Sequence, residues 1–472
     1  MNTKAISFIK SFSYSLVSNL IALLVSSLVI LIIPKLIGIE AYGYWQLYLF
    51  YSSYIGFLHF GWSDGIYLRF GGEKYNDLNK NLFFSQFWML FISQVFLFSI
   101  IFFYSIYFVT DSNKSFIILM TGICMLVSNT RIILVHILQS TNRIKEYAVT
   151  TMLDRISYLF FIVLIIFSSQ YNYKYMIIAD ILGKLCSLIY VSYLCKDIVF
   201  RNIKEFHLDI REMFINISVG IKLMFANIAS ILIIGIVRFS IEKQWDVATF
   251  GKISLTLSVS NLMMVFINAM GIIMFPILRR ANKKNLPTIY STMRNMLMVM
   301  LLGILIFYYP FKSMLSLWLP QYADSLKYMA LVFPMSLYEG KMSLLINTYL
   351  KTLRKEKFIL KVNLLSVVLS LITTIVTVFI LKNLTLSVLS IVFLLAFRCI
   401  ISELFLARYL NISVIKDISV ENLLVVVFIY SGWVIQGSTG CIIYIVAFFL
   451  YLLYKKKEIY GTVNEIKTFV KK

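Results

Sequence analysis

Residues 12–33 read FSYSLVSNLIALLVSSLVILII, a run of about 22 positions without a charge. At a rise of about 1.5 Å per residue, such a run crosses the roughly 30 Å hydrocarbon core of a bilayer as one helix. Lipid offers the backbone no hydrogen bonds, and a helix pairs its amides and carbonyls within a single segment. Lys4 and Lys10 precede the run in the manner of a signal peptide. It is too long for the apolar part of one and lacks a small-residue cleavage site, so it is expected to stay attached as the first span.

Working outward, about fourteen such runs succeed one another: 12–33, 42–60, 82–108, 116–138, 148–167, 175–194, 217–239, 250–275, 293–309, 326–350, 358–381, 384–405, 418–436 and 441–454. The last two are shorter and joined by the tight turn Gly437-Ser438-Thr439-Gly440. The predicted fold class is therefore all-α, a polytopic transmembrane helix bundle of about 14 spans. Composition agrees: 60% of the 472 residues are hydrophobic and 14% charged, against about 25% charged in soluble domains. Mean hydropathy is +0.85. A water-soluble enzyme is excluded.

Forty-four Lys and Arg against twenty-two Asp and Glu give +22. In a membrane protein that surplus orients the chain and implies no nucleic-acid partner. One set of alternate loops holds Arg69, Lys74, Lys80; Arg143, Lys145; Lys196, Arg201, Lys204, Arg211; Arg279, Arg280, Lys283, Lys284; and Lys351, Arg354, Lys355, Lys357. The opposite loops hold mostly single lysines, Lys35, Lys114, Lys174, Lys312 and Lys382. With the tails added, about 28 basic residues stand against about 8, which puts both termini in the cytoplasm by the positive-inside rule.

Two echoes point to an internal repeat. Asn19 and Gly43 are spaced as Asn227 and Gly251 are, with Tyr42 or Phe250 just before the glycine. The run from Leu138 to Tyr147 resembles the run from Leu350 to Phe358, each with an arginine followed four residues later by an aromatic, Arg143–Tyr147 and Arg354–Phe358. The expected domains are an N-terminal lobe of six spans at 1–195, a cytoplasmic linker at 196–216, a pseudo-symmetric lobe of six spans at 217–410, and two C-terminal helices with a basic cytoplasmic tail at 411–472.

Ionisable residues inside spans are the candidates for function, since each costs roughly 2.5–3.5 kcal/mol at the bilayer centre. The cations so placed are Arg131, Arg155, Lys184, Lys222, Arg238, Lys341 and Arg398, and the anions are Asp154, Asp180, Glu339 and Glu403. Asp180 and Lys184 are i,i+4 neighbours able to neutralise one another. The surplus is positive, and a water-filled, cation-lined vestibule would attract an anionic head group such as a diphosphate. Arg131, Arg155, Lys184, Lys222, Arg238 and Lys341 are the candidate substrate contacts. Asp154, Asp180 and Glu339 either couple transport to H⁺ or Na⁺ or simply offset neighbouring cations. Five cysteines without C-x-x-C spacing and three scattered histidines give no metal site, no cofactor and no nucleophilic triad. No loop has room for a soluble catalytic domain, so an enzyme is not expected.

The segment from Asn19 to Gly43 with Pro34, the run from Leu138 to Tyr147, and the run from Asn227 to Gly251 followed by Phe275-Pro276-Ile277-Leu278-Arg279-Arg280 occur in a suggestive order, as does the stretch from Thr348 through Phe358. Together they resemble the polysaccharide flippases, the O-antigen and capsule repeat-unit translocases of the multidrug, oligosaccharidyl-lipid and polysaccharide exporter (MOP) superfamily. The resemblance implies two six-helix lobes around a central V-shaped cavity, alternating between inward-open and outward-open states in a bacterial inner membrane. It implies an undecaprenyl-diphosphate-linked oligosaccharide as substrate, and a polymerase and other polysaccharide-assembly proteins as partners besides membrane lipids. The multidrug-antiporter and peptidoglycan-precursor branches typically carry charge in helix one, where this chain has Asn19. The rival readings are a cation-coupled multidrug exporter of the same superfamily, and a membrane polysaccharide polymerase or glycosyltransferase.

Overall fold

A computed structural model describes residues 3–264, 267 and 286–461. The helices used below are α1 (Thr3–Leu36), α2 (Ile39–Ser52), α3 (Trp62–Arg69), α4 (Lys80–Tyr107), α5 (Ser112–Ser140), α6 (Ile144–Phe167), α7 (Tyr173–Leu194), α8 (Ile210–Gln244) and α9 (Val247–Asn261). They continue with α10 (Leu286–Ile304), α11 (Tyr308–Trp318), α12 (Met335–Lys341), α13 (Asn347–Thr352), α14 (Glu356–Thr374), α15 (Leu384–Leu410), α16 (Ile415–Tyr430) and α17 (Gly437–Tyr454). No strand occurs among the described residues. Among the described residues twelve helices are long and apolar enough to cross a membrane, and the protein is a multi-pass membrane protein with an all-α fold.

Two expected spans are absent from those twelve, for separate reasons. The run 42–60 is broken: α2 stops at Ser52, a 3₁₀ turn covers Ile55–His59, and Phe60 and Gly61 take φ of +54° and +78° before α3 begins. The run 250–275 begins in α9, and much of its remainder lies outside the described residues, as do Arg279, Arg280, Lys283 and Lys284.

Side-chain patterning fits a lipid solvent. On α4, Ile92, Phe96, Ile100, Phe103 and Tyr107 are exposed at helical spacing, a face that only hydrocarbon accommodates at low cost. By contrast the stretch Met329–Thr352 has 83% of its apolar window buried, against 17% for α17. The former is an axial helix of its bundle and the latter a peripheral one.

The chain divides into two compact units, Met1–Ile228 and Ala229–Lys472, with the division inside α8. In the first unit α5 packs against α2, α3, α4 and α7, while α6 packs against α1 and α7. Trp62, Phe83, Phe87, Ile133, Leu134 and Val191 belong to one buried core. The start of α8 docks on α3 through backbone contact: a Cβ on Gly65 would lie 1.9 Å from the Asn216 oxygen, and one on Gly220 would lie 2.0 Å from the Gly61 oxygen. Arg69 secures this approach, donating to Glu212 at 2.7 Å and to Asn216 at 2.5 Å. In the second unit α15 packs against α12 and α14, and α16 against α10 and α17.

The same turn is built twice. Arg143 N donates to Leu138 O at 2.8 Å around Asn142, at φ +60°, and Lys355 N donates to Leu350 O at 2.8 Å around Arg354, at φ +56°. Each turn delivers the chain directly into a long helix, α6 or α14. The register that pairs Leu138 with Leu350 therefore pairs Arg143 with Lys355, one residue away from the pairing of the two arginines that their aromatic neighbours indicate. The likeness lies in the backbone, where a left-handed residue ends one helix and releases the next.

Candidate functional site

Each unit buries a group of charges, and each group is described within its own unit. In the first, Gly183 allows α7 to lie against α6, since a Cβ there would come within 2.8 Å of the Asp154 oxygen. That contact brings Asp154 on α6 and Asp180 on α7 into the same bundle interior. Asp180 is fully enclosed, accepts a hydrogen bond from Tyr48 at 2.7 Å and pairs with Lys184 on the next turn, as the i,i+4 spacing predicts. Arg131 reaches across from α5 to Asp154 at 3.3 Å and donates to Ser187 at 3.2 Å, and Ser187 in turn donates to the Thr150 carbonyl. Asp154 Oδ1 and Arg131 Nε are buried with no partner.

Arg155 is placed differently. It lies within electrostatic range of Asp154 and Asp180, yet makes no hydrogen bond or ion pair among the described residues. Arg131, Arg155 and Lys184 thus face two carboxylates, leaving one cation in surplus. Lys222, on the stretch of α8 that belongs to this unit, is exposed and carries no ion pair among the described residues.

In the second unit the charges close on one another. Arg294 on α10 is 2% exposed and contacts Glu403 of α15 at 2.6 Å, Glu421 of α16 at 2.8 Å and Asp417 of α16 at 3.3 Å. Lys341 at the end of α12 lies 2.5 Å from Glu403 and 3.0 Å from Glu421. Lys455, which follows α17, lies 2.6 Å from Asp417. Three cations meet these three anions, with Lys455 also holding the exposed Glu458 at 2.5 Å, and a cavity of about 10 Å³ between Lys341, Glu403, Glu421, Tyr338 and Asn422 has room for about one water. A π-helical turn over Met342–Ile346 follows Lys341 directly. Glu339 pairs with Arg398 at 3.2 Å, outside this network. Arg238 donates to Ser254 at 3.0 Å and sits over the Phe250 ring, 5.4 Å from its centroid.

Arg294 and Glu421 were overlooked in the sequence-based set although both fall inside expected spans, 293–309 and 418–436. The criterion that picks out Lys341 also picks out both of them. They add one charge of each sign and leave the surplus unchanged. Asp417 and Lys455 stand one residue outside the expected spans 418–436 and 441–454, so that criterion passes over them.

No family model and no curated protein matches this chain. Solved structures do. A lipid II flippase, MurJ, in an inward closed conformation superposes with a TM-score of 0.63 at 13% identity, covering 96% of this chain and 100% of that one. A multidrug resistance MATE transporter in an inward-facing conformation gives 0.60 at 11% identity, covering 84% and 94%. The chain has the fold of the MOP-superfamily transporters. An outward-facing MATE structure also matches, with a TM-score of 0.50 at 13% identity, covering 85% and 96%. At such identities the likeness to these MOP transporters is one of fold, and specificity has to be argued from the buried charges.

Proposed function

We propose that this protein translocates a polyprenyl-diphosphate-linked oligosaccharide, such as an O-antigen or capsule repeat unit, from the cytoplasmic leaflet to the opposite leaflet of a bacterial inner membrane. The reading rests on one observation above the others: Arg155 is a guanidinium among apolar helices without a fixed partner. Its side chain is half-buried and its donors are not committed to any acceptor among the described residues, so a diphosphate would meet a guanidinium free to make charge-assisted hydrogen bonds. The sugar and diphosphate cannot cross hydrocarbon unaided, whereas the polyprenyl chain can remain in lipid throughout. The fold shared with a lipid II flippase is in keeping with a lipid-linked cargo.

In this reading Arg155 is the first contact. Arg131 and Lys184 then exchange their carboxylate partners for phosphate oxygens. Asp154 and Asp180, released from those cations, gain affinity for H⁺ or Na⁺, which links cargo and ion through one site. Within their own units Lys222 and Arg238 are further cationic contacts on α8, while Lys341 becomes one only when Glu403 and Glu421 let it go, with Glu339 as a further carboxylate for coupling. The lobes are 1–195 and 217–410, joined by the linker 196–216, with 411–472 as an appended helix pair and tail. They would alternate around a central cavity with both termini in the cytoplasm, and the protein would work beside a polymerase and other assembly proteins.

The test is the leaflet occupied by the repeat unit in a strain lacking the gene and complemented with variants. Arg155→Ala should leave the lipid-linked unit on the cytoplasmic face and abolish surface glycan at unchanged membrane abundance, while Arg155→Lys should restore part of it. Normal glycan in Arg155→Ala would remove Arg155 from the site, and efflux of cationic dyes with no glycan effect on gene deletion would favour the multidrug reading. Unpolymerised repeat units accumulating on the outer face would indicate a polymerase.

A further inference from the structure

A second recess in the Ala229–Lys472 unit stands apart from the charge network. It measures about 520 Å³ and lies between α11 and the start of α17, where Tyr309, Lys312, Ser313, Ser316, Gln436 and Ser438 line it. The volume is that of a small-molecule site. Its lining contains one cation and no carboxylate. Lys312 donates to Gln436 at 3.4 Å and has no ion pair among the described residues, so its charge is offset by no acid. The position is at the ends of two spans, close to Trp318 on α11 and at Gly437 on α17, which is the depth of lipid head groups.

An apolar ridge leads away from the recess. Ile442 lines it and is 60% exposed, and along the same helix Val446, Phe449, Leu450 and Leu453 are exposed at helical spacing. A phosphate-sized oxyanion alone would use Lys312 and the Ser438 hydroxyl but not the ridge. An amphiphile with an anionic head and hydrocarbon chains would use both.

We propose that this recess binds an anionic phospholipid of the bilayer, with its phosphate against Lys312 and the Ser438 hydroxyl and its acyl chains along the exposed face of α17. Ser313 and Ser316 already donate to the carbonyls of Tyr309 and Ser313. The site is independent of the transport reading, since none of its residues belongs to either charge cluster. The full-length protein, purified in detergent and examined by native mass spectrometry, tests it with phosphatidylglycerol and phosphatidylcholine as probes. Wild type should retain phosphatidylglycerol in preference, and Lys312→Gln should reduce that retention about tenfold, as loss of one charge-assisted contact predicts. Lys312→Arg should preserve it. Ser438→Trp, which fills the recess without altering charge, should also reduce it, with the melting temperature reporting that each variant is folded. Equal retention of the two lipids by wild type, or unchanged phosphatidylglycerol in both Lys312→Gln and Ser438→Trp, would overturn the proposal. Displacement of phosphatidylglycerol by inorganic phosphate at matching concentration would overturn it in favour of a free-oxyanion site. Displacement by a polyprenyl monophosphate at far lower concentration would assign the recess to a carrier lipid instead.

Discussion

The two units bury charge in opposite ways. In the second, Arg294, Lys341 and Lys455 meet Glu403, Asp417 and Glu421 in equal number, and each cation lies within 3.0 Å of at least one carboxylate. In the first, Arg131, Arg155 and Lys184 outnumber Asp154 and Asp180, Arg155 has no hydrogen bond or ion pair among the described residues, and Arg131 Nε and Asp154 Oδ1 make no hydrogen bond, whereas Glu421 Oε1 of the second, which also makes none, still lies 2.8 Å from Arg294. A closed network has nothing to offer a ligand, and its worth is to fix which helices adjoin. An open one leaves a cation available to an anionic ligand, which is the basis of the proposed substrate site. The difference teaches that buried charge in a membrane bundle either locks helices together or stays available to a ligand, according to whether its pairing closes.

The largest effect should come from opening the closed network. Arg294→Ala removes three ion pairs at once and leaves Glu403 and Glu421 to share Lys341 alone, one buried cation for two carboxylates, and should cost about 3–5 kcal/mol, read as a steep fall in the midpoint of thermal unfolding followed by size-exclusion of the detergent-solubilised protein. Arg155→Ala removes a charge that already lacks a partner and should leave that midpoint nearly unchanged. Equal destabilisation by the two would erase the contrast.

A smaller loss should follow Lys455→Ala, because Asp417 keeps Arg294 at 3.3 Å when Lys455 is removed. About 1.5–3 kcal/mol is expected for one charged hydrogen bond, with α17 becoming the first segment cleaved in limited proteolysis. Cleavage starting elsewhere would show that the network does not secure the terminal helices. Tyr48→Phe, on the other side of the comparison, deletes one donor to Asp180 and should cost about 1 kcal/mol by the same unfolding measurement. A loss as large as that of Arg294→Ala would mean that the first cluster is as tightly determined as the second.

The smallest effect concerns pH and lies at the base of the first unit. Half-burial of Asp64 on α3, outside the spans, raises its carboxyl from 3.8 to about 6. A group raised on folding contributes stability that is complete below its unfolded value, and that contribution is lost as pH rises through about 6. Stability should therefore increase by about 1 kcal/mol on acidification from pH 7 to pH 5, after allowance for solvent screening. Asp64→Asn should remove the slope and match the low-pH value at pH 7. An unchanged slope in that variant would place the titration elsewhere.

Much of this was legible in the chain itself, because lipid leaves few options. An apolar run of about 20 residues is a helix in that solvent, and an ionisable residue within it must face protein or water. Hence α4 to α8, and Asp180 with Lys184, follow directly from spacing. The break after Ser52 does not, because the residues that turn the chain, Phe60 and Gly61, sit at the end of a run as greasy as any other. The repeated turn shows through as a pattern of residue types but with its register displaced by one. Partner choice was the least legible feature. Arg294 and Glu403 are joined across 109 positions, and nothing in local spacing selects that pair over Arg294 with any other acid.

The most direct test of the central claim is the affinity of purified protein for a polyprenyl diphosphate carrying a short glycan, measured for wild type, Arg155→Ala and Lys341→Ala in nanodiscs of one composition. The account predicts binding by wild type, at least about a tenfold loss in Arg155→Ala from one missing charge-assisted contact, and for Lys341→Ala a lower melting temperature as its main defect. Undiminished binding in Arg155→Ala, or a loss confined to Lys341→Ala with stability intact, would contradict it.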